Sequence, residues 1–123
     1  VGTHVPFHCT ASGKTYLASL PAAKRRTLLA SLDFRAYTSC THSSIDTLED
    51  GLQRVSKGGC GLDMEEVHEG MIAIAVPVLD SRRRYVAALG MHGPKQRFDL
   101  DDALARRSLL VESAKVISQT FGY

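Results

Sequence analysis

The chain has 123 residues, 44% of them apolar and 23% charged, which suits one soluble globular domain and argues against disorder. Fifteen Lys and Arg against thirteen Asp and Glu leave a formal charge of +2, too small to indicate nucleic-acid binding by itself. Cys9, Cys40 and Cys60 form no C-x-x-C pair, so neither a disulfide framework nor a zinc knuckle is indicated, and no apolar run approaches the length of a membrane span. These features, with no leader-like N-terminus, point to a reducing, cytoplasmic setting.

VGTHVPFH at the start offers neither a helix cap nor a strand pattern. The stretch that follows, FHCTASGKT, ends like a phosphate-binding loop, but the first glycine position of that motif is held by His8, whose Cβ obstructs the tight turn. What remains is a small-residue start, Thr10-Ala11-Ser12-Gly13, of a short helix over 12–19, whose free N–H groups suit an anion such as a carboxylate. Lys14 and Thr15 then read as helix-surface and packing residues. His8 beside Cys9 makes no thiol–base pair, because neighbours on an extended segment point to opposite sides.

A second short helix is expected over 21–31, with Pro21 in its first turn. A longer one starts at Ser43 or Ser44, places Ile45, Leu48, Leu52 and Val55 on one face, and stops at Gly58-Gly59. Residues 61–63, 71–79 and 85–92 are short apolar runs bounded by turn formers and read as buried strands. Asp80-Ser81-Arg82-Arg83 makes the last two an antiparallel hairpin, and Pro77 argues for an edge or a bulge. The basic runs at Arg82–Arg84 and Lys24–Arg26 read as solvated surface. A final helix opens at Asp99, with Asp101 and Asp102 at the positive end of its dipole, and its apolar row is Ala103, Leu110, Ala114, Ile117 and Phe121. Three strands and four helices are few for such a core, so the chain is expected to lack its first strands or to have its missing surface supplied by a partner.

Asp63, Glu65, Glu66, His68 and Glu69 form the densest group of possible ligands. Their spacing matches no familiar metal site, and most of the group reads as a solvated loop, with Asp63 free to point inward behind Leu62. His92, beside Gly93-Pro94, reads as a turn residue at a strand end.

Three stretches taken in order, PFHCTASGKTYLASLP (6–21), GCGLDMEEVHEGMIAIAVPVLD (59–80) and YVAALGMHGP (85–94), resemble the effector-binding domain of IclR-type bacterial transcriptional regulators. The resemblance implies an α+β, GAF-like fold, an antiparallel sheet with flanking helices and a small-ligand pocket on one side. It implies that residues 1–123 are one partial effector-binding domain, and that DNA is read by an N-terminal domain outside this chain. Carried over by position, Ala11 and Ser12 would hold a carboxylate with backbone N–H groups and Asp63 would contact the ligand through a proton or water. Met71, Ala73, Gly90 and His92 would complete the wall. Ala73 stands where the family often has cysteine, Gly90 and His92 where it often has serines, and Arg83 at a turn glycine; a larger or aromatic acid touching Met71 and His92 thus joins the short oxo-acids as a ligand class. The function implied is ligand sensing and oligomerisation, as a homodimer or homotetramer, with no enzymatic activity, catalytic residue, metal, cofactor or membrane contact. Two rivals are a small hydrolase or metal-dependent enzyme using Asp63, Glu65 and His68, and a bare oligomerisation module with an empty pocket.

Overall fold

The computed structural model describes residues 6–122. Val1–Val5, which hold the start of the chain, and Tyr123 lie outside the described residues, so the expectations for those ends are not addressed by it. In chain order the elements are α1 (Ala11–Ser19), α2 (Ala22–Ser31), α3 (Ile45–Gly58), β1 (Gly61–Met64), β2 (Met71–Leu79), β3 (Tyr85–Pro94), α4 (Leu100–Ala105) and α5 (Arg107–Gln119). The fold is α+β. The sheet runs β1-β2-β3, antiparallel throughout.

Alternation along β2 divides the core. Ile72, Ile74, Val76 and Val78 pack with Cys60, Ala103, Leu110 and Ala114 beneath α4 and α5. On the opposite face α1 lies across the strands, and Leu17 meets Leu29, Leu48 and Leu52 in a second cluster that holds α2 and α3. Each of these fully buried aliphatic side chains contributes about 1.5–3 kcal/mol through burial. α3 starts as expected, with Ser44 Oγ accepting from the Thr47 N–H at 3.3 Å, and stops at Gly59 in the left-handed region. Its inward face is narrower than expected, since Ile45 in the first turn is exposed.

Two further expectations, both for the final helix, are corrected, whereas that for Pro77 holds. The final helix is not continuous: the Arg106 N–H bonds back to the Ala103 carbonyl at 3.1 Å, a tightened turn that separates α4 from α5. The buried row then proceeds through Leu110, Ala114 and Ser118, leaving Ile117 and Phe121 exposed. Ser118 is tolerated there because its hydroxyl donates to the Ala114 carbonyl at 2.8 Å. Pro77 is in the central strand, yet β1 pairs only as far as Ala75, so the missing N–H falls where β2 has no neighbour on that side. The register irregularity follows directly, between Val78 and Leu79.

The 80–84 turn is built on Asp80. Its Oδ1 accepts from the Arg82 and Arg84 N–H groups at 2.9 Å and its Oδ2 from Arg84 Nε at 2.8 Å. Arg83 has φ 61°, the left-handed conformation that a side chain disfavours. Arg83→Gly is expected to stabilise the chain by up to about 1 kcal/mol, the relief of αL strain less the added flexibility of glycine. A urea titration measures this, and a lowered midpoint would show that the contacts of the Arg83 side chain outweigh the strain.

Candidate functional site

Strand register aligns two rows across the sheet on the face under α1. Asp63 pairs with Ala73, and Ala73 with His92; Gly61 pairs with Ala75, and Ala75 with Gly90. Paired residues project to the same side of a sheet, so the carboxyl of Asp63 and the imidazole of His92 flank the small side chain of Ala73. Met71 follows two residues before Ala73 on that face. Over this floor stands the first turn of α1. The Thr10 side chain caps it, accepting from the Gly13 N–H at 3.0 Å, and the Thr10 carbonyl takes the Lys14 N–H at 3.0 Å. The N–H groups of Ala11 and Ser12 have no partner among the described residues.

Close approach of helix and sheet depends on two glycines. A Cβ on Gly13 would sit 2.6 Å from the backbone of Phe7, and one on Gly61 would collide with Ala11 O and Thr15 Oγ1. The glycine that looks like part of a phosphate loop thus lets the incoming chain cross the helix. Between helix and sheet is a cavity of about 560 Å³, within the range of small-molecule sites. Ala11, Ser12, Asp63, Met71, Ala73, Gly90 and His92 all line it. Thr10, Val67, His68 and Met91 line it as well and were not singled out for this pocket from the sequence.

Behind the cavity is a buried charge cluster. Lys14, expected at the helix surface, is instead only 5% exposed. Its Nζ donates to the Leu62 carbonyl at 2.8 Å and to Glu66 Oε2 at 2.6 Å. Nζ is also 2.6 Å from Glu66 Oε1, but that oxygen receives no well-directed hydrogen bond and faces His42 Nε2 at 3.5 Å. Glu66, expected in a solvated loop, is 4% exposed, and its Oε2 also accepts from the Met64 N–H at 3.0 Å. The Glu66 N–H in turn donates to Asp63 Oδ1 at 2.8 Å. Thr41 Oγ1 donates to the Glu66 carbonyl at 2.6 Å, which ties the same loop to the segment before α3. One chain of polar contacts therefore connects α1, the 65–70 loop and Asp63.

Burial pushes the Asp63 carboxyl above the usual carboxylate range; the Glu66 and Val67 N–H groups and Lys14 oppose the shift, while the Glu66 charge adds to it. Burial and then Lys14 push His42 below its ordinary value against the pull of Glu66. Cys9 is pushed up to about 12 by burial and by Asp63 and Glu66, which leaves an unreactive thiol. Of the rival enzyme's residues, Asp63 and His68 share the cavity, whereas Glu65 does not line it. Glu65 adopts φ 61° and holds the Gly70 N–H at 3.0 Å and Lys95 Nζ at 3.4 Å, contacts that keep its carboxyl below the usual range.

The model of the bacterial transcriptional regulator IclR C-terminal domain matches residues 1–119. The chain is 42% identical over 103 residues to the probable transcriptional regulator SauR of Cupriavidus necator, covering 84% of this chain and 41% of that protein. Among solved structures, the C-terminal domain of the Escherichia coli transcriptional regulator KdgR superposes with a TM-score of 0.89 at 32% identity, over 100% of this chain and 75% of that one. The inducer-binding domain of PobR from Acinetobacter, solved as a double mutant with 3-hydroxybenzoic acid, superposes with a TM-score of 0.90 at 27% identity, over 96% of this chain and 68% of that one. The chain spans about half the length of the curated relatives it matches, or less. A family match over nearly every residue, together with a shared fold, shows that this chain belongs to the IclR family of bacterial transcriptional regulators and corresponds to their C-terminal, effector-binding domain.

Proposed function

We propose that the chain is the ligand-sensing domain of a cytoplasmic, DNA-binding regulator, and that its cavity binds a small carboxylic or aromatic acid. The observation that carries this reading is the pair of N–H groups at Ala11 and Ser12 that have no partner among the described residues, at a helix start that opens on a cavity walled by Met71, Ala73, Gly90 and His92. Such a helix end offers directed donors and a positive dipole to a carboxylate, and Asp63 supplies a polar contact across the cavity. The aromatic acid held by the PobR domain fits the same chemistry. DNA contact belongs to a separate N-terminal domain, and the whole regulator works as a homodimer or homotetramer, in keeping with exposed Leu109, Val116 and Phe121. The acid regulates DNA binding if it prefers one arrangement of subunits over another.

A calorimetric and thermal-shift screen against pyruvate, 3-hydroxybenzoate and related acids tests this reading. Ser12→Pro removes one donor N–H and is expected to weaken acid binding about tenfold or more, as loss of a hydrogen bond to a charged group does. Stabilisation by divalent metal alone, with no response to acids, would instead favour the enzyme built on Asp63 and His68.

A further inference from the structure

We propose that acid binding in this cavity is proton-coupled: as the carboxylate enters, Asp63 takes one proton from solvent and returns it to the ligand as a hydrogen bond. The inference rests on the reading of the cavity as a carboxylate site and adds what that reading leaves open, how a buried carboxyl shares the site with an anion.

Charge counting motivates it. Asp63 is 7% exposed, and Glu66, whose N–H bonds to it, carries a second buried carboxylate. Lys14 is the one cation in this buried group, and it is held by Glu66 and the Leu62 carbonyl. With both carboxylates ionised the cluster already has an excess negative charge, and a bound carboxylate adds another in the same cavity. Like charges placed together away from water do not both remain ionised; one takes up a proton, and the resulting acid becomes a donor. Burial already favours the neutral form of Asp63.

Other groups face this site. His92 flanks Ala73 from β3, His68 comes from the 65–70 loop, Cys9 precedes α1 and His42 stands behind Glu66. Cys9 already holds its proton. The three imidazoles are the competing proton acceptors. Asp63 is favoured because it combines deep burial, a place on the cavity wall and a chemistry that turns from repulsive to attractive on protonation.

Titration calorimetry of the full chain with 3-hydroxybenzoate and with pyruvate, in buffers of different ionisation enthalpy, counts the protons. The expected result is proton uptake on binding, largest at pH values between the titration points of Asp63 in the free chain and in the complex, with affinity falling by up to about tenfold per pH unit across that window. Asp63→Asn keeps an acceptor for the Glu66 N–H but has no carboxyl to protonate; whatever affinity it has, the acid binding it shows is expected to lack both the proton uptake and the pH slope. Because the raised Asp63 pKa gives stability that is full below the unfolded carboxyl value and is lost as pH rises through the folded one, this variant should be no less stable than the parent at pH values above the folded titration point. A carbon-13 titration of the Asp63 carboxyl, with and without acid, reads the same event in the unaltered chain and is expected to show its titration point rising on binding. Tight binding with no proton uptake and an unmoved carboxyl would overturn the proposal and leave the carboxylate site standing. Uptake that persists in Asp63→Asn would overturn it in favour of a histidine or of an acid bound in its neutral form. Failure of both acids to bind would overturn the reading beneath it as well.

Discussion

Lys14→Met is expected to destabilise the chain by about 3–5 kcal/mol, the usual result of removing one partner from a buried ion pair. Methionine fills much of the volume of the lysine stem, so the loss comes from what remains behind. Glu66 keeps the Met64 N–H at 3.0 Å but loses the ammonium that stands 2.6 Å away, and the Leu62 carbonyl loses its donor. Side-chain exposures of 7% and 5% leave water little access to replace them. Two controls separate this from a general packing defect. Because the pair is buried, the loss should change little between low and high salt, whereas a surface pair would be screened. The double variant Lys14→Met/Glu66→Gln should lose less than the sum of the two single changes, with a coupling of about 1–3 kcal/mol, because Gln leaves no stranded charge. Urea unfolding of the four proteins gives each value. A loss below about 1 kcal/mol for Lys14→Met would mean that the ammonium reaches solvent and that the buried Lys14–Glu66 pair does not hold in solution.

This pair shows where the sequence stops being informative. Only part of the cavity wall was legible from local rules: the small-residue run puts Ala11 and Ser12 at a helix start, and Asp63 directly after Leu62 was free to point inward, whereas Met71, Ala73 and Gly90 were marked by no local pattern and His92 read as a turn residue although β3 runs on to Pro94. The family motifs then assigned those positions to one pocket. Lys14 and Glu66 carry no such local mark. Charged residues are almost never fully buried unless paired, and the partner here lies 52 residues away. The burial of each is explained only by the other, and no periodicity connects a helix position to a loop position. Ile117 and Phe121 failed for the opposite reason, since their spacing is correct for a helix. The face that meets β2, however, steps by four from Leu110 through Ala114 to Ser118, and α5 ends before Phe121 is reached. An apolar spacing identifies a helix more securely than it identifies which side of the helix is covered.

Gly61→Ala should combine a large loss of stability with loss of acid binding, and it tests whether helix and sheet meet as closely as the cavity requires. The new Cβ would collide with the Ala11 carbonyl oxygen and with Thr15 Oγ1. The first of these is backbone, at the same turn that presents the free N–H groups, and the second is committed to the Ala11 carbonyl at 2.8 Å. Neither is the far end of a flexible side chain, so α1 itself must move away from β1. Inserting one carbon into a packed interface costs about 1–3 kcal/mol, and the upper part of that range is expected here because Lys14, on the same helix, must hold Glu66 across the gap. Displacing the helix start also misaims its donors, so acid binding should fall by more than the tenfold expected for Ser12→Pro. Gly58→Ala is the matched control: a Cβ there meets nothing within 4 Å, and the residue closes α3, so stability should be unchanged or rise by up to about 1 kcal/mol. Melting curves and calorimetry on both variants decide the matter. A Gly61→Ala chain that melts with the parent and binds acids normally would show that the gap between α1 and β1 is wider in solution than these contacts allow, and that the cavity does not depend on it.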